Sequence, residues 1–250
     1  MLSTMRNAML RSARPSMIRP TPLLRRSMFI QTASTPNEDA LKFLPSHKIL
    51  GENAATVEFV NGRQAYNSPL ARKLFAVDGV RSVMFGPDFI TVEKTTDSPW
   101  MVLKPEIFSI LTEHLSSGAP VLTEDAQAAE DTAPNEEDSE VVSMIKELID
   151  TRIRPAIQED GGDLLYRGFT EDGIVKLKLQ GACRSCDSSA VTLKNGIESM
   201  LMHYVEEVTG VEQVLDPEEE IAMKEFQKLE QKLDEKNKHQ EEKEEAAPSL

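Results

Sequence analysis

From Thr123 to Asp138 the chain is built from Ala, Glu, Asp, Thr and Pro, with almost no large apolar residue. Such a run buries too little surface to offset the entropy of ordering it, so a single core cannot pass through it. The chain is therefore expected to fold as two small bodies joined by a flexible acidic linker over residues 120–138. Apolar periodicity on both sides mixes the two-residue period of strands with the longer period of helices. The fold class that follows is α+β, with two small two-layer α/β domains.

The first domain is expected over residues 36–119. Leu41–Leu44 and Ala55–Phe59 read as short strands. Ser68-Pro69 has the pattern of a helix start, serine capping and proline in the first turn. Val80, Val83 and Phe85 lead through Gly86-Pro87-Asp88 to Phe89–Glu93, a hairpin. A second helix is expected from Pro105 to Ser116 and should end at Gly118. Nothing here pairs a nucleophile with a base or forms a phosphate loop, and Trp100 and His114 read as packing or surface residues.

The second domain is expected over 139–216, in the order helix, strand, strand, loop, helix, strand. Val141, Ile145, Leu148, Ile149 and Ile153 mark its first helix, which Pro155 should kink or end. Gln158–Asp163 reads as a solvated turn whose carboxylates lack the spacing of a calcium loop. Leu164–Phe169 and Ile174–Leu179 form a hairpin pattern around Glu171-Asp172-Gly173. Val191 to Val208 traces an amphipathic helix, and Val211–Leu215 an edge strand. Residues 217–250 carry a thin apolar seam among glutamates and lysines, a charged helical or disordered tail.

The loop Gly181-Ala-Cys-Arg-Ser-Cys-Asp-Ser-Ser189 holds both cysteines of the 250 residues, Cys183 and Cys186. Two thiols two residues apart can grip one metal ion or close a redox-active disulfide. Asp187, Ser188 and Ser189 are good helix caps, so the second thiol should sit at a helix N-terminus, where the dipole favours thiolate. Zinc and iron–sulfur clusters take four protein ligands, and His47, His114, His203 and His239 stand at no ligand-like spacing from the pair. A second copy of the loop would complete the set by two-fold symmetry, so a metal site that exists only in an oligomer is expected.

The first 32 residues contain six arginines and no acid, and no apolar run long enough for a secretory or membrane segment. Residues 1–33 read as a mitochondrial transit peptide, cut between Phe29 and Ser34. The alternative is a basic arm that touches nucleic acid or anionic lipid. Taking the six arginines from 28 basic residues leaves 22 against 42 acidic, a balance of −20. A mature chain so acidic argues against nucleic-acid binding and against association with an anionic membrane, and a reducing matrix favours metal on the thiols over a structural disulfide.

The cysteine loop and the following Thr192-Leu-Lys-Asn-Gly-Ile-Glu-Ser-Met-Leu201 closely resemble the Nfu-type (NifU C-terminal) iron–sulfur scaffold domain. Arg154-Pro-Ala-Ile-Gln-Glu-Asp-Gly-Gly-Asp163 and Gly210-Val-Glu-Gln-Val214 fit the same family. Thr35-Pro-Asn37, Ser68-Pro-Leu-Ala71 and Phe85-Gly-Pro-Asp-Phe-Ile-Thr-Val92 are similar to the Nfu N-terminal domain, and the resemblance runs from Phe29 to Leu215. It implies a non-enzymatic homodimer that binds a [4Fe–4S] cluster between subunits through Cys183 and Cys186. It also implies an upstream assembly scaffold or glutaredoxin-type donor. The implied clients are matrix apoproteins such as lipoyl synthase, respiratory-complex subunits and aconitase. Asp187 departs from the pattern, standing where the family often has proline. It can cap the helix as well, but adds negative charge beside four thiolates. Read from the loop alone, a thiol–disulfide oxidoreductase or a zinc-bridged dimer remain the alternatives.

Overall fold

The computed structural model describes residues 29–50, 54–123, 131–133, 135–184 and 187–215, the side chains of 187–191 excepted. The tail expected over 217–250 and most of the leader expected over 1–33 lie outside these residues. Two sheets, each with its own helices, give the two-domain α+β architecture. No described helix is long and apolar enough to cross a membrane.

The first sheet comprises β1 (Ile30–Ser34), β2 (Ala40–Pro45), β3 (Val57–Phe59), β4 (Val80–Phe85) and β5 (Ile90–Lys94), in the spatial order β1-β2-β5-β4-β3, antiparallel throughout. Alternation sends Phe43, Phe59, Val83, Phe85, Ile90 and Val92 to one face. There they meet Leu70, Ala71 and Leu74 of α1 (Pro69–Phe75) and Leu103, Ile107 and Leu111 of α2 (Trp100–Ser117). Ser68 caps α1 as expected, accepting the Ala71 N–H at 3.0 Å.

Two readings are corrected here, and of packing or surface His114 takes the first. β1 lies inside the segment read as leader and upstream of residue 36; its small and polar residues masked it, yet all five pair with β2. Helix α2 begins five residues before Pro105, because Ser98-Pro99 supplies the turn that starts it, and Leu103 extends its buried face. His114 is buried, its Nε2–H donating to Pro120 O at 3.1 Å; burial lowers its pKa, against that backbone bond.

The second sheet orders β6 (Gly162–Phe169), β7 (Ile174–Gly181) and β8 (Gly210–Gln213), with β6 and β7 antiparallel and β8 parallel to β7. A parallel neighbour needs a crossover, and α5 (Asp187–Tyr204) provides it. The first helix of this domain is not broken at Pro155 but widened. α3 (Glu140–Leu148) runs through a π-helical turn, Ile149–Ile153, into α4 (Arg154–Glu159). The Arg154 N–H reaches back five residues to Ile149 O, and widening just before the proline relieves the clash a tight turn would impose. Ile145, Ile149, Ile153 and Ile157 remain on one stripe, packed on Leu164, Leu177, Ile197 and Leu201.

Asp163 is fully buried, which corrects the reading of Gln158–Asp163 as solvated throughout; Glu159 and Asp160 are exposed. Its carboxylate accepts from Arg154 Nη1 at 3.1 Å, Gln158 Nε2 at 3.0 Å and the Leu164 N–H at 2.7 Å. Arg154 also reaches Asp131 and Asp150, each at 3.1 Å. Burial works to lower the Arg154 pKa, but the three carboxylates outweigh it and raise it. Asp131 belongs to the stretch read as flexible linker, yet it packs on the second domain because a buried guanidinium needs its charge. Residues 124–130 and 134 lie outside the described residues.

Removing one partner from a buried, hydrogen-bonded pair leaves the other charge uncompensated. Arg154→Met is expected to lower the unfolding free energy in urea by about 3–5 kcal/mol. A loss below about 1 kcal/mol, typical of a surface pair, would contradict the structural role given to this network.

Candidate metal centre

The cysteine loop leaves β7 at Gly181, whose φ of +63° is left-handed and suits glycine. Gly181 pairs with Gly162 of β6. The Ala182 N–H donates to Gly161 O at 3.3 Å and the Arg184 N–H to Gly181 O at 3.1 Å, which turns the chain back over the hairpin. Cys183 lands on Gly162: a Cβ added there would lie 2.3 Å from Cys183 Sγ and 3.0 Å from Gln180 O. Only a glycine lets the sulfur rest there. Sequence reading placed Gly161-Gly162 in a turn but gave no sign that the second glycine supports the thiol.

Cys183 is buried, with 6% of its surface exposed. It lines an apolar hollow of about 340 Å³ with Ile157, Ala182, Leu193, Ile197 and Met200. Cys186 lies outside the described residues, one position before α5 begins. The expected order of strand, loop, helix is therefore present around the pair.

The histidines are not brought to the loop. His114 is bonded inside the first domain, and exposed His47 meets Ser46 Oγ at 3.2 Å. His203 sits in the last turn of the 18-residue α5, about 25 Å from its start at roughly 1.5 Å per residue. His239 lies outside the described residues, among which no three or more His, Cys, Asp or Glu gather as a metal site.

Sequence reading missed the residues that the first domain sends to this loop. Glu58 Oε1 accepts the Gly181 N–H at 2.8 Å, and Oε2 lies 3.5 Å from Arg184 Nη1. Asn37 Nδ2 donates to Ala182 O at 3.3 Å, and Thr91 Oγ1 to Gly161 O at 2.7 Å. Lys42 Nζ donates to Gln158 O at 2.8 Å and Thr56 Oγ1 to Asp163 Oδ2 at 2.7 Å. Burial lowers the Lys42 pKa, opposed by Asp88, Glu159 and Asp160. These bonds span 70 positions of sequence or more, beyond any local pattern.

With the loop placed between β7 and α5, the family models can be set on the structure. Residues 30–118 match the model described as "Scaffold protein Nfu/NifU N terminal", and residues 145–212 match the "NifU-like domain". The chain belongs to the Nfu/NifU scaffold family. A NifU-like protein of Schizosaccharomyces pombe is 58% identical over 210 residues, covering 83% of this chain and 81% of that protein. The mitochondrial NifU-like protein 5 of Arabidopsis thaliana is 57% identical over 198 residues, 78% of this chain and 71% of its own. The protein of Drosophila yakuba named mitochondrial NFU1 iron-sulfur cluster scaffold homolog is 53% identical over 209 residues, 84% of this chain and 73% of its own. The family model begins at the first residue of β1 and not at residue 36, in keeping with the five-stranded sheet.

If Gly162 supports the thiol, adding a methyl there must move the loop. Gly162→Ala is expected to cost about 1–3 kcal/mol in urea unfolding, the range for overpacking a filled site. Gly196→Ala in α5, where an added Cβ meets nothing within 4 Å, is expected to be neutral or to stabilise by about 0.5–1 kcal/mol. Equal responses at the two positions would contradict the close contact.

Proposed function

We propose that two copies of this chain hold one [4Fe–4S] cluster between them through the thiolates of Cys183 and Cys186, and pass it to client apoproteins. The observation that carries the proposal is a shortage of ligands. The chain brings two thiols to a centre that takes four, and the histidines that can be placed stand away from them. The name of the Drosophila yakuba relative as an iron-sulfur cluster scaffold homolog supports the chemistry, and the mitochondrial designation of that relative and of the Arabidopsis thaliana one supports a place in the mitochondrial matrix. The clients fitting this reading are lipoyl synthase, respiratory-complex subunits and aconitase, with an assembly scaffold or glutaredoxin-type protein upstream.

The chemistry asks for ligand exchange and no general base. An incoming client thiol gives up its proton and replaces one of the four thiolates on iron. The departing Cys183 or Cys186 takes up a proton, so the number of iron–sulfur bonds is conserved at each step. The hollow beside Cys183 gives that side of the site mostly apolar walls. A centre on a loop between two copies remains open to a third protein from its edge.

The domain division proposed is the one drawn from sequence, 36–119, 120–138, 139–216 and 217–250, with one amendment. Because Ile30–Ser34 pair with β2, a leader removed on the N-terminal side of Ile30 keeps the first sheet whole.

Anaerobic reconstitution with ferrous iron and sulfide tests the proposal. Wild type is expected to show thiolate-to-iron absorption near ~400 nm and about two irons per chain. Cys183→Ser and Cys186→Ser should each lose the cluster while keeping the far-ultraviolet circular dichroism of the folded chain. A full cluster on either variant would remove that residue from the ligand set. Metal-independent reduction of insulin disulfides would favour an oxidoreductase, and air-stable zinc a structural bridge.

A further inference from the structure

One face of the first sheet covers the helices of its own core. The other carries Lys42, Glu58, Ser82, Met84, Thr91 and Glu93, the polar alternation expected of a face turned to water. It is not turned to water. Met84 keeps 1% of its surface, Thr91 2%, Glu93 4% and Lys42 9%. What covers the middle of this face is the turn and the cysteine loop of the second domain. Met84 packs against Gly181, so that an added Cβ there would lie 2.7 Å from its sulfur, and Thr35 and Thr91 flank Gly161 at 3.1 Å on the same test. Pro36 forms part of the rim of the hollow beside Cys183.

We infer that the first domain is a reversible cover on the cysteine loop, latched by Glu58, and that it lifts before a second copy can share a cluster. This rests on the reading that Cys183 and Cys186 bind a cluster between two copies. The contact has the character of an interface that opens: it is made mostly of hydrogen bonds of polar side chains with backbone and side-chain partners, with Met84 its main apolar element. Interfaces of this polar kind between domains of one chain allow relative motion. Glu58 is the latch because its carboxylate holds both the Gly181 N–H and the Arg184 guanidinium at the root of the loop.

Charge gives the latch a direction. Glu58 places a buried carboxylate, its side chain 4% exposed, beside the residues flanking Cys183. A cluster bound by four thiolates is anionic: it repels the Glu58 carboxylate and competes with it for the Arg184 guanidinium, and both effects weaken the latch. Docking and loading therefore oppose each other. The apo chain keeps the loop docked under the sheet face, and loading with a second copy drives that face away. The first domain thereby acquires a role in the chemistry without supplying a ligand.

The test uses the full reduced chain without metal. Iodoacetamide labelling of Cys183, localised by mass spectrometry, is timed for wild type, for Glu58→Gln, and for the double variant Asn37→Ala with Thr91→Val. The double variant loosens the contact without touching Glu58 and serves if Glu58→Gln does not fold. Labelling is expected to be at least tenfold faster in the variants: Cys183 is buried in the core of its own domain, so the loop must move to expose the sulfur, and the contact with the first domain restrains that local opening. Lys73→Ala, on a surface pair away from the contact, should label at the wild-type rate. Equal rates in wild type and the folded variants would overturn the cover. Because no iron is present, that outcome is separate from failure of the cluster reading, which shows as no cluster on reconstituted wild type. In a second arm, iron and sulfide are added and the rise near ~400 nm is followed. Faster loading of Glu58→Gln than of wild type is expected; faster labelling with unchanged loading would overturn the gating role.

Discussion

The carboxylate of Asp163 is the point on which the rest of the structure hangs. It has no contact with water and collects donors from α4, from its own strand and from Thr56 of the first domain. An ionised group so placed is tolerable only when fully partnered. Those partners fix the geometry of Gly161 and Gly162 just before it. Gly162 in turn is the floor on which Cys183 rests, and Gly161 O is the acceptor that draws in Thr91 from the other domain. One buried charge therefore ties the helix, the hairpin and the thiol into a single unit and offers the first domain a place to dock.

A loop held this way presents few groups of its own to a metal. Rigid support beneath Cys183 and an apolar hollow beside it define one side of a site, and the other side must come from elsewhere. A resident cofactor would be served better by four ligands from one chain. A cargo is served better by a site that is complete only while two copies stay together, because parting them or replacing thiolates from the edge releases it. On the proposed reading, the same economy of ligands that leaves one chain with half a site makes delivery feasible.

Much of this was readable in the residues. Both cores, the hairpins around Gly86-Pro87-Asp88 and Glu171-Asp172-Gly173, the Ser68 cap and the position of the cysteines between a strand and a helix all follow from local periodicity and turn chemistry. Other features did not follow, for physical reasons that differ. Strand β1 carries small and polar residues beside an arginine-rich leader, so its pairing with β2 leaves no mark of its own. The π-helical turn is a response to Pro155, whose place in the sequence foretells a kink or an end but not a widened turn that carries the helix through. Asp163 looks like a turn carboxylate because its arginine lies nine positions back and its threonine 107. Contact between Glu58 and Gly181 has no local signature, since each residue sits in an ordinary strand and only tertiary docking joins them.

The central claim is that one cluster belongs to two chains. Native mass spectrometry of the reconstituted chain, at high dilution and without added thiol, tests this most directly. The expected species is two chains plus one four-iron, four-sulfide unit, which splits into cluster-free monomers as it dissociates. A single chain carrying the intact unit, with no small-molecule thiol bound, would contradict it.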